Sequence, residues 1–190
     1  MSMKKQRKQA IILELTLLTI SFVILALLLL WNIQDRKKGA EECVSQFMDS
    51  YIQQDAKRCA ELLIHNPSNP QEFSHAQSAL SQTITYAITG SKMNRDSVTV
   101  YLEIENVDFE KAFTQLLSED REEIVVEDII NFTIESARNT DYRKIYSCEA
   151  TVYRFGEEDK ISMTRTFSNA LLGGISEFVS SLFTTEGGAS

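Results

Sequence analysis

The sequence predicts an α+β protein, with one apolar membrane helix followed by a domain of helices packed on a curved antiparallel sheet. Three observations carry that expectation. Residues Leu15–Trp31 contain no charged side chain. Two later regions, 84–104 and 146–167, alternate apolar and polar residues with the period of a strand. The stretches around them space apolar residues three and four apart, as amphipathic helices do.

The apolar run extends from Ile11 to Ile33. At helical rise this is roughly 34 Å, enough to cross a hydrocarbon core with some tilt. Trp31 falls where aromatic belts mark the membrane interface. A cleavable signal peptide has a shorter core followed by small residues. Here Asn32, Gln34, Asp35, Arg36, Lys37 and Lys38 follow instead, and no apolar run precedes Cys43 as a lipid-attachment signal requires. The expected organisation is a basic cytoplasmic tail (1–10), an uncleaved transmembrane helix (11–33), an extracytoplasmic α+β domain (34–183) and a frayed tail (184–190). Lys4, Lys5, Arg7 and Lys8 before the helix place the N-terminus inside and the domain outside the cell membrane.

Charge divides along the same line. Of the 190 residues, Met1–Lys38 carry a net +5 and Gly39–Ser190 a net −13, giving the whole-chain −8. So acidic a domain repels phosphate backbones, which excludes nucleic acid as a partner. Seven Gly and two Pro in the whole chain are too few for a low-complexity linker.

Within the domain, Ala40, Val44, Phe47, Met48, Tyr51, Ile52, Cys59, Leu62 and Leu63 predict one long helix over 39–64, continuous with the membrane helix and ended by Pro67 and Pro70. A short helix is expected at Gln71–Leu80. Ile84, Tyr86 and Ile88, then Val98, Val100, Leu102 and Ile104, predict a hairpin turning over Gly90–Asp96. Asp108 is placed to cap a helix burying Phe109, Ala112, Phe113, Leu116 and Leu117. Ser118 is expected to cap the next, with Glu119, Asp120, Glu122 and Glu123 in its first turn. The β-branched run after them reads as helix because Val125, Ile129 and Phe132 keep a helical spacing. A second hairpin carries Tyr146, Cys148, Ala150 and Val152 on one strand and Ile161, Met163 and Phe167 on the other, turning over Gly156–Lys160. An amphipathic tail helix then uses Leu171, Leu172, Ile175, Phe178, Val179 and Leu182, weakened by Gly173 and Gly174.

This order of elements resembles the cystatin-like cone of the nuclear-transport-factor-2-like superfamily, and more narrowly the small surface-anchored proteins of unknown function of Gram-positive bacteria. The resemblance rests on Tyr51…Asp55, on V-T-V-Y-L-E-I-E-N-V-D (Val98–Asp108) and on N-A-L-L-G-G (Asn169–Gly174), and covers roughly 40–183. Those relatives usually use a lipidated cysteine, whereas this chain uses a helix. A single-helix anchor plus such a cone is also similar to the bitopic scaffold subunit of type IV secretion and conjugation machines.

Residues able to carry chemistry are few. His65 and His75 are ten apart across two prolines, which does not match a metal pair on one helix. Cys43 and Cys59, if on one straight helix, stand about 24 Å apart and cannot bridge each other. Cys148 could meet one of them across the domain, or all three are buried small apolar groups. Arg154 and Arg165 share strand faces with apolar residues, either aimed into a pocket or paired at a sheet edge. Asn131-Phe132-Thr133 fits a glycosylation acceptor but falls on a helix face. S-E-D-R-E-E (Ser118–Glu123) lacks the glycine of a calcium loop.

No catalytic, cofactor or metal site is expected, and the chain reads as a non-enzymatic, membrane-tethered binding or scaffold module. Its partners are the bilayer through 11–33 and envelope proteins or a second copy. The alternatives are the secretion scaffold, and an enzyme or carrier of a small ligand in the cone pocket.

Overall fold

The computed structural model describes residues 3–65, 72–118 and 126–184. The chain divides into two compact units, Met1–Lys38 and Gly39–Ser190.

The first unit is helical throughout its described residues. They belong to α1 (Met3–Ile52), a helix of 50 residues. From Leu15 to Ile33 its large apolar side chains are 41–73% exposed, and no part of the most apolar 18-residue window is buried. The mean hydropathy of that window is 2.3, so this helix is long and apolar enough to cross a membrane. Thr19 returns its hydroxyl to the Leu15 carbonyl at 2.8 Å, so this polar group needs no water.

In the second unit the remainder of α1 buries Ala40, Cys43, Val44, Phe47, Met48 and Tyr51, a stripe at helical spacing. The helix continuous from the apolar stretch into the domain is present, but it ends at Ile52 rather than Ile64. Gln54 adopts φ +64°, and the Asp55 carboxylate accepts from the Arg58 amide at 2.9 Å to cap α2 (Ala56–Leu62). Apolar spacing continues across the break because α2 also faces the core, which hid the turn. Cys59 Sγ consequently lies 4.0 Å from the Phe47 carbonyl oxygen. On a straight helix twelve residues would separate them by about 18 Å. Helix α3 (His75–Ser81) starts later than expected, where Ser74 and Gln77 form a reciprocal capping box.

Four antiparallel strands follow in spatial order: β1 (Thr85–Met93), β2 (Ser97–Val107), β3 (Arg143–Phe155) and β4 (Glu158–Ser162). Val100 pairs with Ala150 and Leu102 with Cys148, setting the apolar residues of β2 and β3 on one face. The first turn is shorter than expected. β1 runs through Gly90, which absorbs a bulge after Ile88, and the Asn94 amide bonds the Ser97 carbonyl at 2.8 Å. The second turn is also short, with Gly156 at φ +65° before Glu157. Strand β4 stops at Ser162 instead of reaching Phe167. Thr164 accepts from the Phe167 amide at 3.1 Å and starts α6 (Arg165–Leu171). Phe167 is still fully buried, but from a helix.

Asp108 caps α4 (Phe109–Ser118) as the sequence indicates. Phe109, Ala112 and Leu116 are buried, whereas Leu117 is 56% exposed, outside the expected face. Ser118 closes α4 and donates to the Gln115 carbonyl. The β-branched run forms α5 (Val126–Ala137), a helix as its spacing requires. A single 3-10 turn at Thr140–Tyr142 leads into β3. The tail is two helices, not one, because Gly173 (φ +63°) and Gly174 (φ +82°) separate α6 from α7 (Ile175–Thr184). The expected proline-ended loop at 66–70, the acidic first turn at Glu119–Glu123 and the fray beyond Thr184 lie outside the described residues.

Val44, Met48, Val100, Leu102, Ile104, Ala150 and Phe167, each at most 1% exposed, belong to one core cluster shared by α1, the sheet and α6. This face of the sheet is filled with side chains.

Candidate functional site

Two of the cavities that open on the domain have opposite chemistry. The first, about 440 Å³, lies among α1, α2 and the start of β4. Gly39 on α1 makes it possible: a Cβ there would stand 2.7 Å from an Arg154 guanidinium nitrogen and 2.8 Å from an Asp159 carboxylate oxygen. In that space Arg154 grips Asp159 with two bonds of 2.9 Å. Lys160 pairs with Glu158 at 2.8 Å and donates to the Glu61 carbonyl at 2.7 Å. Arg58 pairs with Glu61 at 3.1 Å and donates to Gln46 at 2.8 Å. Cys43 donates its thiol hydrogen to the Asp159 carbonyl at 3.3 Å. Burial first, then the Asp159 charge, push that thiol up to about 11. The cations Arg58, Arg154 and Lys160 are each held by a carboxylate, Glu61, Asp159 and Glu158 respectively.

The second cavity, about 300 Å³, lies among α1, α2, α3, Met163 before α6 and Leu171 at the end of α6. Its walls include Phe47, Tyr51, Cys59, Phe73 and Met163, with Glu72 and Gln77 exposed beside them. Tyr51 stacks on Phe47 at 6.2 Å between ring centroids and meets Phe73 edge-on at 5.1 Å. Tyr51 is only 9% exposed, and its hydroxyl has no hydrogen-bond partner among the described residues. Burial pushes this phenol up to about 12, and likewise the Cys59 thiol.

The residues singled out by sequence do not converge. His65 is exposed, and His75 opens α3. The three cysteines are buried, free and dispersed: Cys43 in the charged groove, Cys59 in the aromatic cavity, Cys148 on β3 opposite Leu102. Burial raises the Cys148 thiol to about 12 as well. Arg154 is tied to Asp159. Arg165 is the first residue of α6, not part of a strand, and it donates to Ser180 at 3.2 Å. Thr133 returns its hydroxyl to the Ile129 carbonyl within α5, so the Asn131–Thr133 triplet is helical. Among the described residues no three His, Cys, Asp or Glu side chains are grouped to hold a metal.

The motif segments are structural. Asn106, fully buried, donates to the carbonyls of Ala170 and Leu171 at 3.0 Å each and accepts from the Val107 amide. It therefore satisfies the end of α6. Asn169 accepts from the Glu177 amide at 3.0 Å and donates to its carboxylate, tying α6 to the start of α7. Tyr146 donates to the Val107 carbonyl at 3.0 Å, and its phenol is pushed above the usual range mainly by burial. Asn106 was detectable in sequence: it continues the apolar parity of Val98, Val100, Leu102 and Ile104, where a polar side chain must find buried partners.

No family model matches this chain, and no curated protein or solved structure matches it either.

Proposed function

We propose that this chain is a membrane-tethered, non-enzymatic binding module, anchored by 11–33 with its N-terminus in the cytoplasm and its acidic domain outside. The observation that carries the reading is how the ionisable groups of the two cavities are disposed. Each of the three cations of the groove, Arg58, Arg154 and Lys160, is paired with a carboxylate, and the thiols and phenol are held protonated by burial. A nucleophile or proton carrier needs the reverse, a group brought toward its charge change near neutral pH. What these cavities offer is shape, apolar surface and hydrogen bonds, the means of recognition. The exposed apolar helix supports the tether, and the basic residues before it support the orientation. The α+β order remains compatible with the cone resemblance, as fold-level analogy only.

The test places one cysteine at Arg95, on the exposed tip of the first hairpin, with Cys43, Cys59 and Cys148 replaced by alanine. A membrane-impermeant maleimide should label it on intact cells. Photocrosslinkers at Gln46 and Glu158 on the groove should then capture a defined envelope protein or a second copy. Labelling only after lysis would sink the orientation, and turnover of a substrate by the purified chain would sink the non-enzymatic reading.

A further inference from the structure

We infer that the cavity bordered by Tyr51 binds a small uncharged molecule with an aromatic or branched apolar body and one hydrogen-bond acceptor. This rests on the binding-module reading and names a ligand class for one of its sites.

Size sets the first limit. A dry cavity of about 150 Å³ holds benzene. The volume of about 300 Å³ here accommodates a body of roughly ten heavy atoms. The walls set the second. Phe47, Phe73, Met163 and Leu171 present carbon and sulfur, while Cys59 directs its thiol toward the Phe47 carbonyl rather than competing for a ligand.

The Tyr51 hydroxyl sets the third. No described group bonds this hydroxyl, and since no buried side-chain oxygen or nitrogen is left without a partner among the described residues, its oxygen keeps access to solvent and its proton is available to a ligand. The hydroxyl belongs to a side chain more than nine-tenths buried and clamped between two aromatic rings. It keeps its proton across the physiological range, so it acts as a donor. The complementary group is a carbonyl, ether or similar acceptor placed at one end of the apolar body. Charge sets the last limit. The exposed carboxylate of Glu72 stands at the cavity, in a domain of net −13. An anionic acceptor such as a free carboxylate is repelled, so the acceptor is neutral.

Three isosteric probes separate these limits: acetophenone (neutral, with an acceptor), ethylbenzene (no acceptor) and benzoate (an anion). The full chain is placed in lipid nanodiscs with its methionine methyls labelled with carbon-13. Met163 lines the cavity and Met93 on β1 does not. Acetophenone should shift the Met163 signal saturably and leave Met93 in place, with ethylbenzene about 3- to 10-fold weaker and benzoate silent. Tyr51→Phe removes only the hydroxyl, and should lower acetophenone to the level of ethylbenzene without changing ethylbenzene. Ala60→Leu, which fills the cavity from α2, should abolish both.

Met163 unmoved by acetophenone, equal shifts at Met163 and Met93, or a ranking indifferent to Tyr51→Phe would each overturn the inference. If Met163 is unmoved while a photocrosslinker at Phe73 captures a defined protein, the cavity receives a partner's side chain. The ligand class then falls while the module stands. If neither fragments nor protein occupy it and the groove crosslinkers also capture nothing, both readings fall together.

Discussion

Gly173 lies so close to Val107 that a Cβ on it would stand 2.6 Å from the Val107 Cγ1 and 2.8 Å from its carbonyl oxygen. The same residue adopts φ +63°, and its own carbonyl accepts from the Phe109 amide at 3.0 Å. The turn between α6 and α7 is thus seated directly on the end of β2 and the start of α4. Gly173→Ala meets both a left-handed backbone penalty and a clash with rigid main chain. It should destabilise the domain by about 3 kcal/mol in chemical denaturation. Gly156→Ala is the control, since Gly156 has φ +65° but open space around it. It should lose only about 1 kcal/mol.

Asn106 completes the same junction from inside. Asn106→Leu keeps the volume of an apolar strand position but removes the donor to the Leu171 carbonyl, leaves the Ala170 carbonyl with only the Gly173 amide, and removes the side-chain acceptor of the Val107 amide. A loss of about 2–4 kcal/mol is expected, with the end of α6 opening first in amide hydrogen exchange. Uniform loss of protection across the sheet, with α6 unchanged relative to it, would contradict this role.

These residues show what the sequence could and could not disclose. Periodicity located both hairpins, and it recovered α5 against a β-branched composition, because a buried helical face keeps its spacing whatever the residue types. It failed where one apolar pattern runs through a turn. Ala40 to Leu62, and Ile161 with Phe167, keep core-facing side chains while the backbone changes direction at Asp55 and Thr164, although Met163, expected on the same face, is 37% exposed. Both are residues that cap helices, and that local signal was outweighed by the longer pattern. Neither cavity was legible. The groove depends on Asp159 pairing back across a two-residue turn onto Arg154, and the aromatic cavity on Phe73 meeting Tyr51 across a chain reversal. Contacts of that kind follow from tertiary register, which no local pattern encodes.

Gly39 offers a test of the groove. In a helix interior alanine is favoured over glycine by about 1 kcal/mol. At this position a methyl group displaces the Arg154–Asp159 pair. Gly39→Ala alone should therefore be neutral or destabilising. Against Asp159→Ala, where the carboxylate that a Cβ would meet is gone, the same change should be more favourable by up to about 1 kcal/mol. A double-mutant cycle by denaturation measures the difference, and simple additivity would mean that the pair does not constrain residue 39.

The buried thiols make stability sensitive to alkali, in a direction their environment fixes. Burial raises Cys43 to about 11 and Cys59 and Cys148 to about 12, from an ordinary value of 9.0. The folded domain therefore holds these protons more tightly than the unfolded chain. Their contribution to stability is complete below pH 9, and it declines as pH rises toward 11–12, where the unfolded chain has already ionised. Thermal unfolding followed from pH 8 to 11 should show Tm falling above pH 9. The slope should be shallower in the variant with all three cysteines replaced by alanine, although its Tm at pH 8 is lower from lost packing. The same burial makes the native thiols slow toward maleimide at pH 7.5, with rapid labelling only in denaturant. Equal slopes in the two proteins would show that the thiols ionise as freely in the folded domain as in water. Rapid labelling of the native chain would show the domain opening around them on the time scale of the reaction.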